Sequence, residues 1–281
     1  MEKRAFFKNK TVVVTGAAGV LCSCFAEEFA HQECNVALLG RTYSKVKELE
    51  DRLTAKGYSA FAVECDVTDV ESVKKAKKAV NDKFGRCDIL LNGAGGNHPN
   101  GNTTKDIFEP GDIENNDITS FFDLDPRNFD FVFKLNLTGT VIPSQVFMED
   151  MIGNPGANVL NVSSMSAYSP MTRVSAYSAA KAGISNITQW LGVHFAKEGI
   201  RVNAIAPGFF LTVQNKNLMT NPDGSLTMRA QKVMRKTPME RFGEPEELLG
   251  GMLWLCNSDE AKFVTGITVP IDGGFTAYSG V

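Results

Sequence analysis

The segment SAYSAAK places Tyr177 and Lys181 four residues apart, so on a helix the two side chains share one face. Such a pair can make a base. A free phenol loses its proton only near pH ~10, too high for proton transfer at neutrality, but a neighbouring ammonium favours the phenolate and lowers that value. By itself the spacing is common on helix surfaces. Ser164 stands thirteen residues before Tyr177, at the end of an apolar run, and Asn136 lies upstream in KLNLTG. Near the amino terminus, KTVVVTGAAGVLCS reads as a buried strand entering a tight turn, the arrangement that lays a dinucleotide pyrophosphate on backbone amides. The full G-x-G-x-x-G fingerprint is absent, because only Gly16 and Gly19 remain.

These residues need a scaffold. The chain offers seven short β-branched or apolar runs: TVVV from Thr11, NVALL from Asn35, SAFAVE from Ser59, DILLN from Asp88, NVLNVS from Asn158, IRVNAIA from Ile200 and GITVPI from Gly266. Most are separated by room for a helix. Parallel strands cannot be joined by hairpins, so helical crossovers and a sheet covered on both faces follow. The predicted fold is α/β, a doubly wound Rossmann-type sheet of about seven parallel strands with helices on both faces. Ligands in such sheets collect at the carboxyl ends of the strands, here TGAAGVLCS, GRTYS, CDVTD, NGAGGNHP, SSMSAYSPMTR and APGFFLT. Two longer segments are expected to cover the site. Residues 96–126 are rich in prolines, glycines and asparagines that break helices, and residues 209–244, helical around Thr227 to Lys236, read as a lid. With no linker or repeat in sight, one domain spanning residues 1–281 is expected.

Bulk properties narrow the partners. Net charge is −3 and basic residues are dispersed, so nucleic acid is not an expected partner. The run KKAKKAV from Lys74 to Val80 reads as a solvated helix face. No stretch approaches the ~18 consecutive apolar residues of a membrane span, and the first residues lack a cleavage site, so a cytoplasmic protein without a membrane partner is expected. Six scattered cysteines and three histidines show no metal-ligand spacing; free thiols and no metal are expected.

Taken together, TGAAGVLCS, NGAG, KLNLTG, Ser164, YSAAK and APG resemble the short-chain dehydrogenase/reductase family over nearly the whole chain. The resemblance implies a nicotinamide-dependent oxidoreductase with a catalytic tetrad of Asn136, Ser164, Tyr177 and Lys181. Tyr177 would exchange a proton with the substrate oxygen and Ser164 would hydrogen-bond that oxygen. Lys181 would lower the tyrosine pKa and bind the nicotinamide ribose, and Asn136 would hold a water in a proton relay. Hydride transfer builds negative charge on oxygen, so two hydroxyl donors there stabilise the transition state more than the ground state. Ser163 is the nearest rival to Ser164, disfavoured by its spacing to Tyr177 and by strand alternation.

Against the family pattern T-G-x-x-x-G-x-G, this chain keeps Gly16 and carries Val20 and Cys22 at the other two glycine positions. Cys22 is expected to fill space with its helix displaced slightly outward, a reactive thiol being the alternative. Implied cofactor contacts are Gly16, Gly19, Val20 and Leu21 in the loop, Asp66 and Val67 at the adenine, Asn92 and Ala94 in NGAG, then Tyr177, Lys181, Pro207, Gly208 and Thr212. Asn92 is also expected to support the central sheet. The second strand ends in Gly40 and Arg41 instead of an acid. A guanidinium there can clamp a 2′-phosphate, which favours NADP(H), with NAD(H) as the alternative.

NGAGGNHP, FFDLD, TQWLGVHFAK and TPMERFGEPEELLG are similar to the branch of this family assigned to D-mannonate oxidoreductase, or fructuronate reductase. That resemblance implies a sugar-acid substrate, with D-fructuronate and D-mannonate interconverted. Expected substrate contacts are Asn97, His98, Met165, Arg173 and Phe209, Arg173 holding the carboxylate. Alternatives are another polyol or sugar-acid dehydrogenase such as gluconate 5-dehydrogenase, a 3-oxoacyl-carrier reductase, or a dinucleotide-binding module without turnover. The family commonly forms tetramers, and the apolar, glycine-rich ending VPIDGGFTAYSGV fits a homotetramer.

Overall fold

Alternation along single strands sets the layers of the molecule, which the computed structural model describes for residues 1–211 and 219–280. In β1 (Thr11–Thr15), Val12 and Val14 join one apolar cluster and Val13 the other, all fully buried. β2 (Asn35–Gly40) divides the same way, Leu38 to the first side and Ala37 and Leu39 to the second. Side chains of period two buried on both faces mark central parallel strands.

With β3 (Ala60–Glu64), β4 (Ile89–Asn92), β5 (Asn158–Val162), β6 (Arg201–Pro207) and β7 (Thr268–Ile271), these strands form one parallel sheet ordered β3-β2-β1-β4-β5-β6-β7. The seven runs picked out in the sequence match it with ends shifted by no more than two residues. α1 (Val20–His31), α2 (Tyr43–Ala55) and α8 (Leu249–Cys256) pack on one face. α3 (Val70–Phe84), α5 (Gly139–Phe147) and α6 (Ser175–His194) pack on the other. α4 (Pro126–Phe133) instead lays Val132 against Ala176 and Ala180 of α6.

Local chemistry sets the helix ends. The Asp69 carboxylate accepts the N–H groups of Glu71 and Ser72 to start α3, and Gly85, at φ 83, ends it. The basic run on α3 is indeed a paired, solvated face: Lys74 bonds Glu71, Lys78 bonds Asp82, and Lys77 reaches Glu149.

Residues 96–126 contain three short 3-10 turns, Pro99–Gly101, Pro110–Asp112 and Phe121–Asp123. Within residues 209–244, α7 (Met228–Lys236) is capped by the Thr227 hydroxyl, which accepts the Ala230 N–H. No helix of the described residues is long and apolar enough to cross a membrane. All six cysteines are free, and the described residues hold no cluster of metal-ligating side chains.

The β1 and β4 strands are neighbours, yet the chain continues from them to opposite sides of the sheet. Their carboxyl ends therefore open a crevice.

Candidate active site

The crevice is built around one glycine. Thr15 closes β1 and its hydroxyl accepts the N–H groups of Gly93 and Ala94 at 3.1 and 3.2 Å, tying the β1 loop to the β4 loop. Gly16 follows at φ +64, and a Cβ there would lie 2.8 Å from the Ala94 Cα. Both conditions exclude a side chain. Gly19 is the N-cap of α1 and offers no capping side chain, so the amides of the first turn, which includes Val20 and Leu21, are open to an anion. Leu21 is half-buried against the core. A bare backbone bend leading into an uncapped helix fits the pyrophosphate of a dinucleotide.

Cys22 and Gly93 explain each other. A Cβ on Gly93 would fall inside the van der Waals shell of Cys22 Sγ, so the thiol fills the space a side chain at position 93 would take. The room comes from the neighbouring loop, where the sequence suggested an outward shift of α1. Burial pushes the thiol up to about 12, against the opposing charge of Lys181, so it stays protonated and unreactive at neutral pH.

At the carboxyl ends of β2 and β3, Arg41 is exposed and Asp66 half-buried. Asp66 Oδ1 accepts from the Thr68 N–H at 2.9 Å and the Thr68 hydroxyl at 2.8 Å. Partial burial opposes the charge of Asp66, but those bonds and the nearby Arg41 and Lys134 outweigh it and hold the carboxyl below its usual range. Val67 is buried against Gly139, where a Cβ would lie 2.9 Å from Val67 Cγ2.

The Asn92 side chain is committed inside the protein. Its Nδ2 donates to Ser144 Oγ and Asn161 Oδ1, both at 2.9 Å. Asn161 in turn donates to Thr188, and Ser144 to the Thr140 carbonyl. A buried amide must find partners inside the protein, and these lie on α5 and on the neighbouring strand β5, which passes the network on to α6.

The catalytic candidates gather where β5 meets α6. Ser164 is 8% exposed and accepts the Ser166 N–H at 3.2 Å. Its rival Ser163 is instead tied to α6, donating to the Lys181 carbonyl at 3.1 Å and bonding the Ser185 hydroxyl at 2.8 Å. Buried Lys181 donates to the Val162 carbonyl at 2.8 Å, and its ammonium lies 5.6 Å from the Tyr177 ring centroid. Burial lowers Lys181 to about 8, with Cys22 opposing. Burial likewise raises Tyr177, with the Ser164 bond opposing.

Asn136 sits in a π-helical turn, Lys134–Thr138, between α4 and α5. Its Nδ2 donates to the carbonyls of Gly96 at 2.7 Å and Val132 at 2.8 Å, and its Oδ1 accepts the Gly96 N–H at 3.2 Å. The side chain thus anchors the start of segment 96–126. Gly95, which sequence reasoning passed over, makes this possible. A Cβ there would lie 2.7 Å from Asn136 Oδ1 and 3.2 Å from Lys181 Nζ.

The expected substrate contacts divide. Asn97 donates to Asn102 Oδ1 at 2.9 Å, and His98 Nδ1 accepts the Asn100 N–H while its ring packs edgewise on Phe131, so both brace their own loop. Met165 is 2% exposed and belongs to the packing beneath the site. Phe209 is half-buried with its ring 5.4 Å from Phe275. Pro207 ends β6, and at Gly208 a Cβ would lie 2.6 Å from the Asp272 Cα. Thr212 lies outside the described residues. Arg173 borders the site but is paired with Asp106, a partner with no signal in the sequence.

Comparisons with known proteins agree with this architecture. Residues 10–223 match the short chain dehydrogenase family. An uncharacterized oxidoreductase of Bacillus subtilis, UxuB, is 52% identical over 273 residues, 97% of each chain. An uncharacterized oxidoreductase of Haemophilus influenzae is 47% identical, covering 98% of this chain and 95% of the relative. The crystal structure of a Haemophilus protein provisionally assigned as a D-mannonate oxidoreductase, with NAD bound, superposes with a TM-score of 0.94 at 46% identity, covering 98% and 97% of the two chains. With a glycine bend, an uncapped helix and a Ser-Tyr-Lys cluster on one edge of its sheet, this chain belongs to the short-chain dehydrogenase family of NAD(P)-dependent oxidoreductases.

Proposed function

We propose that the protein interconverts a sugar-acid ketone and its secondary alcohol, D-fructuronate and D-mannonate being the favoured pair, with Tyr177 as general acid and base. Buried Lys181, its ammonium 5.6 Å from the Tyr177 ring centroid on the helix that follows Ser164, carries this reading. The choice of substrate is supported by the Haemophilus protein provisionally assigned as a D-mannonate oxidoreductase.

Gly16, Gly19 and the start of α1 would hold a nicotinamide dinucleotide, which would supply or accept the hydride. Tyr177 gives its proton to the substrate oxygen in reduction and takes it back in oxidation. Ser164 Oγ already accepts the Ser166 N–H, so its own proton is free to be donated to that oxygen. Lys181 holds positive charge beside the phenol as the tyrosinate forms, and Asn136 fixes Gly96 at the mouth of the site.

Arg41 supports a preference for NADP(H), and the NAD in the Haemophilus structure supports acceptance of NAD(H). A homotetramer fits the exposed apolar residues of α6, with Trp190 at 55% and Val193 at 78% exposure.

The test is oxidation of NADPH and NADH by the purified protein with D-fructuronate, D-tagaturonate and 5-keto-D-gluconate. D-fructuronate is expected to give the highest kcat/KM, by at least about tenfold, and NADPH the lower KM. Preference for 5-keto-D-gluconate would favour the gluconate 5-dehydrogenase alternative; no reduction of any of them rejects the substrate class. The reductive kcat/KM should also fall as pH rises through about 8, because Lys181 loses its charge there while Tyr177, raised by burial, still carries its proton. Lys181→Arg, which stays charged, should move that falling limb upward at a lower plateau rate.

A further inference from the structure

Asp106 holds two cations at once. Its Oδ1 accepts from Arg173 Nε and its Oδ2 from Lys232 Nζ, each at 2.6 Å. One carboxylate thus joins segment 96–126, the loop between Ser164 and Tyr177, and α7 of segment 209–244. Arg173 has φ 71, a left-handed conformation disfavoured for a residue with a Cβ. Its carbonyl accepts the Thr103 N–H at 3.0 Å, which closes the junction through the main chain as well. Lys105, next in sequence to Asp106, is committed to Glu109 and Asp112.

Two cations against one carboxylate leave a surplus positive charge at the loop that leads from Ser164 to Tyr177. The donors are also unspent. Of the five guanidinium N–H donors only Nε–H goes to Asp106, and an ammonium has three. A second carboxylate can therefore be received, or can replace the first, without leaving either cation bare.

We propose that Arg173 and Lys232 together recognise the carboxylate of the substrate, and that Asp106 is an internal stand-in which that carboxylate displaces. The inference rests on the sugar-acid reading above and deepens it: Lys232 becomes a specificity residue contributed by α7. Exchange of one carboxylate for another conserves charge, so an acid substrate can take the place of Asp106. A neutral polyol cannot, because it would have to separate an ion pair with nothing to offer in return. The junction thereby selects for charge, and its two covering segments are repositioned only by an acidic ligand.

The experiment is calorimetric titration of the NADH-loaded enzyme, in which D-mannonate forms a dead-end complex, with D-mannitol as the neutral control. Lys232→Gln, at an exposed helix position, should raise the D-mannonate Kd about tenfold and leave the D-mannitol Kd within about twofold. Asp106→Asn should lower the D-mannonate Kd about threefold, since the competitor has lost its charge. An unchanged D-mannonate Kd in Lys232→Gln overturns the proposal. Equal weakening of both ligands in Asp106→Asn also overturns it, because the junction is then a brace only. D-gluconate and D-galactonate, titrated alongside, separate the two readings. If they bind with the predicted mutant responses and D-mannonate does not, charge recognition stands and the substrate identity falls. If the wild type and Lys232→Gln oxidise D-mannonate with the same KM, the substrate identity stands and this inference falls.

Discussion

Tyr177→Phe is expected to lower turnover about 10²- to 10⁴-fold in both directions, the usual contribution of a positioned acid or base. Dinucleotide affinity should stay within about twofold, since the substitution removes one oxygen and leaves the ring where Lys181 meets it. Steady-state kcat and a fluorescence titration with NADH read the two quantities separately. A phenylalanine variant with wild-type kcat would move the proton transfer to another group, Ser164 being the nearest hydroxyl. Loss of NADH binding together with turnover would instead mean that the tyrosine is structural. The Ser164 hydroxyl keeps the bond from the Ser166 amide in this variant, so the floor of the site should survive.

The second large effect concerns a pair of residues, neither of which is remarkable alone. Gly93→Asn places the residue commoner in this family where Cys22 Sγ already lies. The clash is with a buried side chain between two loops that Thr15 holds together, so neither loop can yield freely. Overpacking of this kind costs about 1–3 kcal/mol, seen as a lowered Tm and a weakened NADH Kd. Cys22→Gly on its own should be mild. Combined, the two substitutions should regain most of the loss, and thermal unfolding of all four proteins yields the interaction energy directly. If Gly93→Asn is as stable as the wild type, or if the double variant is no better than Gly93→Asn, the two sites are independent and this account of the loop fails.

The sheet was readable because buried parallel strands are nearly continuous apolar runs, which is what Val12 to Val14 and Ile89 to Leu91 are. The Ser164, Tyr177 and Lys181 cluster was readable because a helix period puts Tyr177 and Lys181 on one face, and the resemblance to the short-chain family singled out Ser164 as their companion. What escaped depends on contacts between distant parts of the chain. Cys22 stood out as a departure from the family pattern, but only the packing of α1 against the β4 loop shows that Gly93 accommodates it. Asn136 has no sequence signal for its place, asparagine being a poor helix former. That its amide spans to Gly96 follows from a π turn, which has no composition of its own. Asn97 and His98 are polar residues near the right loop, and nothing in their identity reveals that they bond to Asn102 and Asn100. Asp106 is one acid among several in a long segment, and its link to Lys232 crosses 126 positions of sequence.

That π turn also sets a phase. α4, the turn and α5 follow one another without a break from Pro126 to Phe147, yet Val132 packs on α6 while Ile142 and Phe147 pack with the sheet. Each residue advances a helix by about 100°, so the wider turn acts as an angular offset between two stretches that serve different neighbours. Removing a single residue from 134–138 would rotate one stretch against the other by about that amount, taking Asn136 off Gly96 while every side chain type stayed the same. Length, more than identity, is what this turn cannot change.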